Sequence, residues 1–177
     1  MIQLEQIKNY FPYILHENTD FKKHILKEYI QLMVLNFLSS SVYVRKIETQ
    51  DQQVLYKPVI ANIQGCGYFF PFPVPSDGVL CSMKIAAMLA RAKGRDFYDL
   101  MFLLSQTQPD YDFLEKRCGI RNLQELQEKT TELLKITDLN VKKRDFEHLL
   151  FSKASSEQIL RFREFIQSLN AHPSTFN

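Results

Sequence analysis

Four charged residues in a span of sixteen carry the most chemistry in this sequence. Lys84 and Arg91 are seven residues apart, about two helical turns, so they share one edge of a helix. Both keep their charge at neutral pH and suit the holding of phosphates. Asp96 and Asp99 follow at once, ahead of the apolar run from Leu100 to Leu104. Such carboxylates ligate a divalent cation or orient a hydroxyl in phosphoryl transfer. Each residue also has a plainer reading. The cations suit a solvated helix edge, and an Asp at an N-cap with a second three residues on steadies a helix start by about 0.5–1 kcal/mol each. Residue type and spacing leave both readings open.

Other candidates carry less. Asp110-Tyr111-Asp112 has the form of a two-metal acidic pair, but it follows Pro109 and leads into a helix, where capping explains it. Glu48 is a lone carboxylate on an expected strand. Tyr68, Phe69, Phe70 and Phe72 have the rings to stack bases, although such a strand more commonly packs against helices. Lys93, Arg95, Lys142, Lys143 and Arg144 are the cations an RNA-binding surface would use. Cys66, Cys81 and Cys118 include no C-x-x-C pair, and His16, His24, His148 and His172 are scattered. No metal site is expected from them, and three reduced thiols point to the cytoplasm.

These residues need elements to hold them. Val79, Leu80, Met83, Ala86, Ala87 and Ala90 recur at steps of three and four, which predicts the buried side of a helix. Gly94 is read as its left-handed cap and Asp96 as the N-cap of the next helix. Upstream, Leu4, Ile7, Tyr10 and Phe11 suggest a short helix near Pro12. Thr19 or Asp20 caps a long one, apolar nearly all round and so expected to be well buried. Residues 42–49 and 53–63 read as strands with Asp51-Gln52 between them. Gln64-Gly65-Cys66-Gly67 reads as a turn, and residues 68–74 as an edge strand broken up by Pro71 and Pro73. The remainder reads as helices over residues 110–118, from Asn122, 142–151 and 155–169, then a frayed tail.

The totals limit the options. A chain of 177 residues, 45% hydrophobic and 24% charged, is an ordinary globular protein with a real core. A net charge of +2 gives no bulk attraction to nucleic acid. No apolar run reaches the roughly 20 residues of a membrane span, and the N-terminus lacks a signal-peptide pattern.

The run MKIAAMLARAKGRDFYDLMFLL resembles the Lys-x-x-Ala-x-x-x-Arg…Arg-Asp-x-x-Asp segment of the AbiEii-type nucleotidyltransferases, toxins of abortive-infection and toxin–antitoxin systems. FKKHILKEYIQLMVLNFL is similar to the helix before their catalytic core, and GCGYFFPFPVP and the helical tail also fit. The resemblance implies a polymerase-β-like fold that uses a nucleoside triphosphate and Mg²⁺, with RNA such as tRNA as acceptor and an antitoxin as partner. It implies Lys84 and Asp96 as catalytic residues, Lys84 and Arg91 at the nucleotide's phosphates, Arg95 and Asp99 as support, and Glu48 as a third acidic position. The family's Gly-Gly or Gly-Ser turn and its Asp-x-Asp pair have no counterpart between the long helix and the later strands. Roughly ninety residues of such a fold are therefore expected to be absent.

The expectation is a truncated or degenerate nucleotidyltransferase-like protein, inert alone, with weak nucleotide binding. A non-catalytic interaction module, pairing with an antitoxin or with its own copy as a homo-oligomer, is the alternative. The expected fold class is α+β and helix-dominated, with a small, mainly antiparallel, partial nucleotidyltransferase-like sheet, an N-terminal helix and a C-terminal helical bundle. The expected divisions are residues 1–106, 107–170 and a tail at 171–177.

Overall fold

Proline and glycine govern how the first part of the chain is built. The computed structural model describes residues 4–13, 16, 19–40, 55–149 and 153–170. These fall into two units that part between Val74 and Pro75. The first holds α1 (Leu4–Ile7), α2 (Thr19–Ser39), β1 (Val59–Gly65) and β2 (Tyr68–Val74). β1 starts directly after Pro58, and pairs antiparallel with β2 from Gly65↔Tyr68 back to Val59↔Val74. The turn between them is Cys66–Gly67, with φ of 49° and 81°. Positive φ at both positions is what a two-residue hairpin turn of matching twist demands. The expected strand over residues 42–49 and the turn at Asp51-Gln52 lie outside the described residues.

The register shows why β2 tolerates its prolines. In a two-residue hairpin the closing pair, here Gly65 and Tyr68, is hydrogen-bonded, and bonded and non-bonded pairs then alternate. Pro71, opposite Asn62, and Pro73, opposite Ile60, therefore take non-bonded positions. Their missing N–H groups face away from β1, so the ladder loses nothing while that edge loses two donors for any further strand. Replacing both by valine restores those donors. The double variant Pro71→Val/Pro73→Val is expected to self-associate with rising concentration, read by light scattering; unchanged scattering would mean the prolines do not guard that edge.

Phe70 and Phe72 are buried on the inner face of the hairpin, and α2 packs against β2. Tyr68 Oη donates to Tyr29 Oη at 3.3 Å. The expectation that α2 is buried nearly all round is corrected: Ile25 is buried, but Ile30, Val34 and Phe37 are exposed, Phe37 to 72%. A hairpin of two strands covers one side of a helix and leaves the other in water.

The second unit is helical. It comprises α3 (Asp77–Arg91), α4 (Gly94–Leu104), α5 (Tyr111–Cys118), α6 (Leu123–Lys135), α7 (Leu139–Phe146), α8 (Lys153–Ser156), a 3₁₀ turn (Glu157–Arg161) and α9 (Phe162–Ser168). The fold is α+β and helix-dominated, as expected. Side chains cap the helices where the sequence places them: Asp110 Oδ1 accepts from Phe113 N–H at 2.8 Å, and Asn122 Oδ1 from Glu125 N–H at 2.9 Å. The Asp110-Tyr111-Asp112 pair is thus a helix start, and Gly119, at φ 64°, ends α5. The helix expected over 142–151 instead opens at Leu139, and the one over 155–169 is divided by the 3₁₀ turn.

One core joins these helices, through Cys81, Ile85 and Met88 of α3, Phe97 and Leu100 of α4, Leu114, Leu126, Phe146 and Phe162. The predicted buried face of α3 holds only in part: Val79 is buried, but Met83, Ala86 and Ala87 are half-buried, Leu80 and Ala90 are exposed, and the opposite side, 81-85-88, is buried. The helix is apolar on two sides, so periodicity alone matched either. The shared core places α3 and α4 with the later helices. On α6, Leu126, Thr130 and Leu134 face the core, and Thr130 Oγ1 is buried without a hydrogen-bond partner. Thr130→Val keeps the shape and removes the orphaned hydroxyl. It should raise unfolding stability by about 1 kcal/mol in urea titration, and a loss of stability would show that the hydroxyl has a partner.

Candidate functional site

The charged residues meet at the corner between α3 and α4. Arg91 is the last residue of α3, and Ala92 turns the chain with φ 44° and ψ 47°, its N–H bonded to Met88 O at 2.9 Å. The left-handed cap expected at Gly94 therefore falls two residues earlier. Lys93 is the N-cap of α4 and makes no side-chain cap bond, so Asp96, on the first turn, is not the N-cap. Gly94 serves another purpose. A Cβ there would overlap the Lys142 carbonyl and come within 2.8 Å of Phe146 Cδ1, so glycine is what lets α7 cross α4.

Asp96 is 1% exposed, and both of its oxygens are taken by Arg91: Nε donates to Oδ2 at 2.8 Å and Nη2 to Oδ1 at 2.7 Å. The planar fork of the guanidinium matches the carboxylate, and the Arg91 side chain stays 51% exposed. The hydrogen bonds that Arg91 donates to Asp96 hold the Arg91 pKa above its ordinary value. One turn on, Asp99 Oδ2 accepts from Lys84 Nζ at 2.7 Å and lies 3.4 Å from Arg95 Nε. Lys84 and Arg91 do share one helix edge, and each is matched to one of the two carboxylates. Lys84 is paired to Asp99 rather than to Asp96. Glu48 lies outside the described residues.

Three cations less two carboxylates leave this edge at +1, a weak attraction for an anion. Among the described residues, no three of His, Cys, Asp and Glu come close enough to hold a metal ion. The cysteines are free, and burial pushes the Cys81 thiol up to about 12, which removes it as a nucleophile. Spacing showed which residues share an edge. It could not show that Arg91 is bidentate to Asp96, for which the five-residue separation across a helix break is the one available signal.

Over residues 38–175 the chain matches the family described as nucleotidyl transferase AbiEii toxin, Type IV TA system. The chain belongs to the AbiEii family. The match takes in the hairpin, the whole α3–α4 corner and the helices after it. It begins at Leu38, so only the last two residues of α2 fall inside it. No curated protein and no solved structure matches the chain. Among the described residues, no helix is long and apolar enough to cross a membrane.

Proposed function

We propose that this AbiEii-family chain binds the phosphates of a nucleoside triphosphate weakly along the α3–α4 edge and transfers no nucleotidyl group by itself. Lys84 and Arg91 would contact the phosphates, supported by Arg95, with Asp99 and Asp96 holding the cations in place. The observation that carries this reading is the bidentate Arg91–Asp96 pair. While both oxygens of Asp96 are engaged and out of water, the carboxylate can neither take a proton from an attacking hydroxyl nor ligate Mg²⁺. Family resemblance gives Asp96 a role at the reacting group, and here that role requires Arg91 to release it. Mg²⁺, a tRNA acceptor and Glu48 as a third acidic position rest on the same resemblance.

Titrating ATP, CTP and GTP with Mg²⁺ tests the binding half. A dissociation constant of about 1 mM is expected, with the signal lost in Lys84→Ala. No signal at millimolar nucleotide would sink it. Incubation with labelled triphosphates and tRNA tests the other half, and label on the RNA would overturn it.

A second reading is favoured by the surface of the first unit. Ile30, Val34 and Phe37 form an exposed stripe on α2, and Ile60 and Phe69 are exposed on the hairpin. Exposed apolar residues in such number suit association, here with a second copy of the chain, alongside the antitoxin that the family implies. Light scattering would show a dimer that Phe37→Ser disperses; a clean monomer at high concentration counts against it.

A further inference from the structure

The helical unit holds a half-open cavity of about 410 Å³, none of whose lining residues belongs to the α3–α4 charged edge. It lies where the end of α4, the loop leading to α5, the start of α6 and the segment after α9 meet. Leu104, Tyr111 and Leu123 form apolar walls and pack against the core behind them. Its lining also includes residues with amide side chains, among them Gln106, Asn122 and Asn170. Arg121 also lines it, but its guanidinium donates to Glu125 Oε1 at 2.7 and 3.0 Å, so it brings no uncompensated charge.

We propose that this cavity takes a purine base. Its size falls within the range of small-molecule pockets. A phosphate or carboxylate ligand would meet no unneutralised cation among the lining residues. An aliphatic chain would desolvate these amides and give them nothing to bond. A flat ring with donors and acceptors on its edge satisfies both the apolar and the amide part of the lining. Tyr111 offers a ring to stack on, and the amides of Gln106 and Asn170 have the paired donor and acceptor that adenine needs at N6 and N7. Asn122 adds a single donor: its Oδ1 is spent on the α6 cap, which leaves the amide N–H₂ for a ligand. Such a base has two sources, a free nucleoside or an unpaired residue of an RNA.

Adenosine, AMP and a single-stranded oligoadenylate, titrated while following tyrosine fluorescence, test the proposal. Adenosine should saturate below about 10 mM, with AMP binding no tighter. The informative variant is Asn122→Asp, since aspartate caps a helix as well as asparagine but has no N–H₂ to donate. It should keep the melting temperature and weaken adenosine about tenfold, and Gln106→Ala should weaken it about fivefold. Equal affinity for adenosine and oligoadenylate assigns the site to free nucleosides, and a tighter oligonucleotide assigns it to RNA. The proposal is overturned if neither saturates, if AMP binds markedly tighter than adenosine, or if Asn122→Asp binds normally. Lys84→Ala must leave the adenosine titration unchanged; if it abolishes it, the ligand sits on the α3–α4 edge instead.

Discussion

Gly94→Ala is expected to destabilise the protein by about 3 kcal/mol or more. The sign is what makes the substitution informative. In an exposed first turn, alanine would be favoured over glycine by up to about 1 kcal/mol. Here the added methyl would occupy the position of the Lys142 carbonyl and press on the Phe146 ring, and the first of these is backbone. Relief requires α7 to move off α4, opening a core that contains Phe97, Leu100 and Phe146. Urea denaturation measures the loss through its midpoint. An unchanged or higher midpoint would show that α7 does not cross α4 at this residue.

Breaking the Arg91–Asp96 pair should be asymmetric. Arg91→Met leaves a carboxylate that is 1% exposed with neither of its two donors, and should cost about 3 kcal/mol. Asp96→Asn keeps one acceptor and leaves a guanidinium that already reaches water over half its surface, so about 1–2 kcal/mol is expected. Unfolding of both single variants and the double variant closes the cycle, and the coupling should be positive by at least about 1 kcal/mol. A larger loss from Asp96→Asn than from Arg91→Met would contradict a pair whose buried partner is the acid. The same variants bear on function. If Arg91 restrains Asp96, Arg91→Met changes the response of the α3–α4 edge to nucleotide and Mg²⁺, whereas a purely structural pair would alter only stability.

The candidate site was legible in its residues and not in its pairings. Lys84, Arg91, Asp96 and Asp99 are the charged residues that do meet, because helical spacing places the cations on one edge and a short link brings the next helix alongside. Their partners depend on how far α4 is rotated about that link, which the αL residue Ala92 sets. Gly94 misled for a related reason: a glycine near a helix end commonly supplies a left-handed cap, but here the need is for space against another helix 48 residues away in the chain.

Away from the α3–α4 corner, local chemistry was decided by the sequence alone. Asp110, Asn122 and Gly119 act on backbone groups a few residues away, and Cys66–Gly67 and the prolines of β2 obey the same short-range rules. What only the tertiary structure decided is which apolar surface goes inside. α3 carries one apolar side with Cys81, Ile85 and Met88 and another with Leu80, Met83 and Ala87, and nothing local ranks them. α2 has more apolar surface than one hairpin can cover, so Phe37 stays in water. Burial is settled by the partner that an element meets, and a helix does not carry that information in its own periodicity.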